Sequence, residues 1–144
     1  MDIADVFESF AAEFEQSVDD DNWFRLEKYF AEDATYLNLG GPDPKCEGRD
    51  AILAYFKHDV TNNDRRFDSR TLIALSPPIT DGNRLSRQWR CTYTLKGTPD
   101  LVLEGESRYV FQSGLIKALE VQLDEDSMQT LDQWMRAHGS QLQS

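Results

Sequence analysis

The apolar residues of this chain change their spacing once, at Asn62-Asn63-Asp64, and that change constrains the fold more than any single motif. Upstream they recur three and four apart. Ile3, Val6, Phe7, Phe10, Ala11, Phe14 and Val18 form one stripe of a helix that ends at the Asp19-Asp20-Asp21-Asn22 cluster. Asn22 or Asp21 is suited to cap a second helix carrying Trp23, Leu26 and Phe30. A short strand follows over 34–39, closed by the turn Gly40-Gly41-Pro42-Asp43-Pro44. Gly48-Arg49-Asp50 then opens a third helix with Ile52, Leu53, Phe56 and Val60 inward.

Downstream the period is two. Residues 67–76 read as a strand stopped by Pro77-Pro78, and Asp81-Gly82-Asn83 is a hairpin signal leading into 84–96. There Leu85, Arg87, Trp89, Cys91, Tyr93 and Leu95 share one face, opposite Ser86, Gln88, Arg90, Thr92 and Thr94. Strands over 101–112 and 115–123 follow, and Asp124-Glu125-Asp126-Ser127 caps a last amphipathic helix with Met128, Leu131, Trp134, Met135 and Leu142. Gly105 in mid-strand marks a place where the sheet bends. Helices grouped before a run of antiparallel strands define an α+β domain. The expectation is one domain over 1–144: a curved antiparallel or mixed sheet, three N-terminal helices on its concave face around a cone-shaped pocket, and a C-terminal helix.

Charge narrows the partners. Fifteen Lys and Arg against 26 Asp and Glu leave a net charge of −11. That field repels phosphate backbones and anionic headgroups, so neither nucleic acid nor membrane is expected as a partner. Cys46 and Cys91 belong to no CxxC or Cys/His cluster, and the two histidines have no ligand spacing, so no metal and no cofactor are expected. The first residues lack a basic region and an apolar run, which points to a cytoplasmic protein with two reduced thiols.

The run Trp23 … Tyr29-Phe30-Ala31-Glu32-Asp33-Ala34-Thr35-Tyr36, followed by Gly48-Arg49-Asp50-Ala51-Ile52, resembles the opening of nuclear transport factor 2-like (SnoaL-like) proteins. The Asp-Gly hairpin and Gly114-Leu115-Ile116-Lys117 continue the resemblance, which spans about residues 5–124. It implies the cone fold, whereas the activities within that superfamily range from isomerases and hydrolases to structural subunits. The ketosteroid isomerase pattern, carried over by position, puts Asn38 where a carboxylate base is needed, Phe14 where a Tyr is needed and Ser107 near the oxyanion Asp. An amide does not accept that proton and a phenyl ring donates none, so this activity is not expected. Limonene epoxide hydrolase resembles the chain in its Tyr-x-Asn pair, here Tyr36-Leu37-Asn38, with Arg87 at the Arg position; its two Asp positions fall on Trp89 and near Val121.

What remains is a polar anchor. Tyr36 and Asn38 share a strand face, where they hydrogen-bond one ligand oxygen or else serve the glycine-rich turn. Arg87 on an inward face needs a partner, either a pocket acid or an anionic or carbonyl ligand, unless the strand carries it into solvent. His58 and Asp59 lie about 100° apart on a helix and form no dyad, whereas Asp59 and Tyr55 share a face, so Asp59 is the candidate base at the pocket mouth. The candidate catalytic residues are Tyr36, Asn38, Asp59 and Arg87, and the expected pocket wall is Phe14, Trp23, Tyr36, Asn38, Tyr55, Arg87, Trp89, Tyr93 and Ser107.

Two functions compete on these residues. One is a small-molecule-binding protein, homodimeric through the outer sheet face, taking a hydrophobic compound with a carbonyl or hydroxyl and acting as an isomerase, dehydratase or hydrolase. The other is a non-catalytic partner domain resembling the β subunit of ring-hydroxylating dioxygenases, which has a similar Phe-Ala-Glu-Asp-Ala-Thr-Tyr stretch.

Overall fold

The computed structural model describes residues 2–39 and 45–143, so the expected turn at 40–44 lies outside the described residues. Helix α1 spans Ile3–Asp20. Asp2 caps it through Ala4 N at 3.2 Å, and Asp21 ends it in the left-handed region at φ 62°. The buried Ser17 hydroxyl lies between the carbonyl oxygens of Glu13 and Asn22, at 3.0 and 2.8 Å, and ties the helix end to the next segment.

That segment is a 3-10 turn over Phe24–Tyr29, not a second α-helix. Trp23, Leu26 and Tyr29 are all buried and stand three apart, and three residues per turn puts them on one face. The concave face is therefore covered on this side by two α-helices and a 3-10 turn. Phe30 already belongs to strand β1 (Phe30–Leu39), with an irregularity before Thr35. After β2 (Lys45–Glu47), helix α2 spans Arg49–Asn62, entered through Gly48 at φ 94°.

The remaining strands are β3 (Ser69–Ala74), β4 (Ile79–Asp81), β5 (Arg84–Thr94), β6 (Leu101–Gln112) and β7 (Leu115–Leu123), followed by helix α3 (Glu125–His138). Strand β3 is shorter than 67–76 because Phe67 leaves the strand for the core and the chain turns away after Ala74. The sheet order is β2-β1-β7-β6-β5-β3, with β4 also on β5; β1 and β7 are parallel and the other pairs antiparallel. No helix among the described residues is long and apolar enough to cross a membrane.

Most of the described buried apolar residues fall into two clusters. The first joins Phe7 and Phe10 of α1, Ile52 and Phe56 of α2, and Tyr36, Leu85, Tyr109 and Leu119 of the sheet. Removing one such aromatic costs about 3–5 kcal/mol. The second gathers Phe67, Leu95, Leu101 and Leu103 under Trp134 of α3, whose Nε1 donates to Pro99 O at 2.9 Å.

Candidate functional site

Strand register sets the concave face in rows. Tyr36, Leu119, Tyr109 and Leu85 stand side by side across β1, β7, β6 and β5, within the first cluster. The next row is Asn38, Val121, Ser107 and Arg87, and then Leu123, Gly105, Trp89 and Ala74. At the far end Leu101, Tyr93 and Arg70 align in the second cluster's territory. Polar side chains thus concentrate in a band between the two apolar clusters.

At one end of the band the Asn38 amide donates to the Tyr55 hydroxyl at 2.9 Å, and the Tyr36 and Tyr55 rings lie 5.2 Å apart. Burial pushes the Tyr36 phenol far above its ordinary value, and the neighbouring Tyr55 and Asp59 add to the shift, so Tyr36 stays protonated. Asp59, one turn beyond Tyr55, accepts from Asn63 Nδ2 at 2.9 Å. Burial raises the Asp59 carboxyl, and the Asn63 bond, His58 and Arg70 pull it only partly back.

At the opposite end, Arg70 of β3 bonds Asp64 at 2.6 Å and pairs with Glu15 of α1, while the Tyr93 hydroxyl reaches Asp64 at 3.4 Å. Burial opposes the Arg70 charge, but Glu15 and Asp64 outweigh it and hold the guanidinium above its usual value. Arg87 points inward as well. Its side chain is 15% exposed, its Cζ lies 5.0 Å from the Phe7 ring centre, and it pairs with Glu8 of α1. Trp89 Nε1 donates to Ser107 Oγ at 3.1 Å, and Ser107 in turn meets Tyr109.

The structure therefore brings Tyr36, Asn38, Tyr55 and Asp59 together, and sets Arg87, Trp89, Ser107 and Tyr93 on the same concave face. Phe14 and Trp23 lie elsewhere, packed with each other at 5.3 Å and against Phe56 in the first cluster. Sequence reasoning missed Arg70, Asp64, Glu15 and Glu8. Arg70 alone left a signal, as a charge in step with Leu72 and Ala74 on β3.

Two open hollows lie elsewhere. One of about 420 Å³ lies between the 3-10 turn and α2, lined by residues such as Phe24, Asp50 and Lys57, and one of about 680 Å³ sits on the convex side beside Arg108 and Met128. Neither contains the buried acids and phenols of the band, which is where the chemistry converges.

The chain matches the SnoaL-like domain model over residues 7–119, most of its length, and it belongs to that family. No curated protein matches it in sequence. Among solved structures it is similar to a nuclear transport factor 2-like protein from Anabaena variabilis (TM-score 0.69, 13% identity, 86% of this chain and 90% of that one). It is also similar to Bal32a from a soil-derived mobile gene cassette (TM-score 0.67, 16% identity, 92% and 98%). A third is TerC, co-crystallised with polyporic acid (TM-score 0.65, 14% identity, 89% and 98%). Likeness at these identities carries the fold alone.

Proposed function

We propose that the band between the two apolar clusters binds a small, largely apolar molecule bearing a carbonyl or hydroxyl, and that Asp59 moves a proton on it. The observation that carries this is the meeting of Asp59, raised by burial, with the Tyr36 phenol, held protonated, beside the bonded Asn38–Tyr55 pair. A base works best with a pKa near the working pH, and a phenol that stays neutral remains a donor. Flanking apolar clusters suit an apolar ligand body. TerC, which shares the fold, was co-crystallised with a small organic compound, polyporic acid, and so lends support.

In the proposed step Asp59 takes a proton from the carbon next to a carbonyl. The C–H bond breaks and its electron pair moves to the carbonyl oxygen, where the Tyr36 O–H donates to the resulting enolate. Return of the proton from Asp59 to another carbon gives an isomerase; its delivery from Asp59 to a β-hydroxyl, which leaves as water as the enolate re-forms the carbonyl, gives a dehydratase. The convex sheet face is proposed to pair with a second copy, and cysteines kept as thiols, here Cys46 and Cys91, suit a reducing cytoplasm.

The test uses 2-acetonaphthone in D2O, with loss of its methyl signal followed by proton NMR and its binding by Trp fluorescence. Binding with exchange that disappears in Asp59→Asn and slows in Tyr36→Phe supports the reading. Exchange at an equal rate in Asp59→Asn refutes the base, and no binding at all refutes the site.

A further inference from the structure

Two arginines face the concave side from β5 and β3, and each is met by a glutamate of α1: Arg87 by Glu8 and Arg70 by Glu15, one residue pair two helical turns from the other. The two pairs are built differently. Arg70 bonds through two nitrogens, with Nε on Asp64 at 2.6 Å and Nη1 on Glu15. Arg87 uses only Nη2, on Glu8 Oε1, while its Nε is buried with no hydrogen-bond partner. An orphaned, charged donor in the interior is costly.

The partners of Arg87 differ in depth. The Arg87 side chain is 15% exposed and stacks on Phe7, so it is fixed, whereas Glu8 is 54% exposed and rests on the outside. Glu8 regains water on release, so the exchange costs little when an incoming carboxylate takes its place on the guanidinium. The vacated side of the guanidinium offers Nε and Nη2 in parallel. That is the geometry a carboxylate fills with both oxygens, and Glu8 reaches only half of it. Arg87 stands in the row of Asn38, Val121 and Ser107, on the face that holds the proposed ligand.

We infer that Arg87 is a carboxylate-binding subsite of this concave face, that Glu8 occupies it as a built-in competitor, and that the ligand is an apolar carboxylate that displaces Glu8 to bond Nε and Nη2 together. This rests on the binding site proposed above, and it adds the ligand's charge. The chain's net charge of −11 opposes any anion at long range, but at about 0.15 M salt that field is screened beyond roughly 8 Å, so the local fork decides.

The experiment compares two probes of one shape, 2-naphthoate and the neutral ketone 2-acetonaphthone, by Trp fluorescence titration at constant salt. The reading is the ratio of their dissociation constants. Wild type should prefer naphthoate. Glu8→Gln, a change at an exposed position, should raise that preference about three- to fivefold. Arg87→Gln should abolish it, with a loss for naphthoate of at least tenfold. A ratio unchanged in Glu8→Gln overturns the inference, and so does a preference that survives Arg87→Gln, while the ketone still binding leaves the proposed site standing. If neither probe binds wild type, both the site and the subsite fall.

Discussion

The indole of Trp89 lies across Gly105 of the neighbouring strand so closely that a Cβ on residue 105 would stand 2.7 Å from the ring. The same Cβ would stand 2.4 Å from the Gln122 carbonyl oxygen. The glycine is there for close approach. Gly105→Ala is expected to destabilise the fold by about 2–3 kcal/mol, seen as a lower urea midpoint at unchanged slope. Because the Gln122 contact is backbone, adding Trp89→Ala should restore only part of the loss. An Ala variant as stable as wild type would show that β6 and β7 part without cost.

Asp59 ties stability to pH in a direction opposite to most carboxylates. Its folded-state value is raised above the ordinary 3.8, so the folded state holds the proton more tightly than the unfolded chain does. Its contribution is full below 3.8 and is lost as pH rises through the raised value. Asp59→Asn should therefore gain on wild type in denaturation midpoint between acid and neutral pH. Proton exchange by wild type should rise over the same interval, as the base ionises. Parallel stability curves for the two proteins would contradict the raised value.

Arg70 neutralises a carboxylate that is largely withdrawn from water. Asp64 is 12% exposed, and Glu15 is 42% exposed. Arg70→Met strands Asp64 and should cost about 3 kcal/mol, whereas Glu15→Gln should cost about 1 kcal/mol or less. Adding Asp64→Asn to Arg70→Met should recover more than half of the loss. Strict additivity of the two changes in thermal denaturation would show that they do not act as a pair.

On the convex face Arg108 is shared among Glu106, Glu120 and Gln122, at 3.3, 3.3 and 2.8 Å, and Val102, further along β6 on the same face, is 41% exposed. Pairing of this face between two copies predicts light scattering at twice 16.6 kDa. Val102→Arg should then give a monomer with the fold intact by circular dichroism. A monomeric wild type would rule the pairing out.

The shift from helical to alternate spacing carried the order of helices and strands, since burial of one face imposes its period on the sequence. It failed at residues 23–30. Trp23, Leu26 and Phe30 fit an α-helix on paper, but Tyr29 is also buried, and a turn of three residues stacks 23, 26 and 29 in one line where an α-helix spreads them over about 120°. The Asn38–Tyr55 and Tyr36–Asp59 neighbours were within reach because each residue's face was readable from its own element. The partners of Arg87 and Arg70 were not, because Glu8 and Glu15 lie 79 and 55 residues away. No local spacing encodes where α1 crosses β5 and β3.

The parallel pairing of β1 with β7 places the first long strand beside the last, Asn38 next to Val121. During synthesis, α1 and β1 emerge with their aromatic faces uncovered and must wait for residues 115–123 before the sheet can close around them. The domain is thus expected to fold only after release of nearly its whole length, and a chain stopped before β7 should remain open and prone to aggregate.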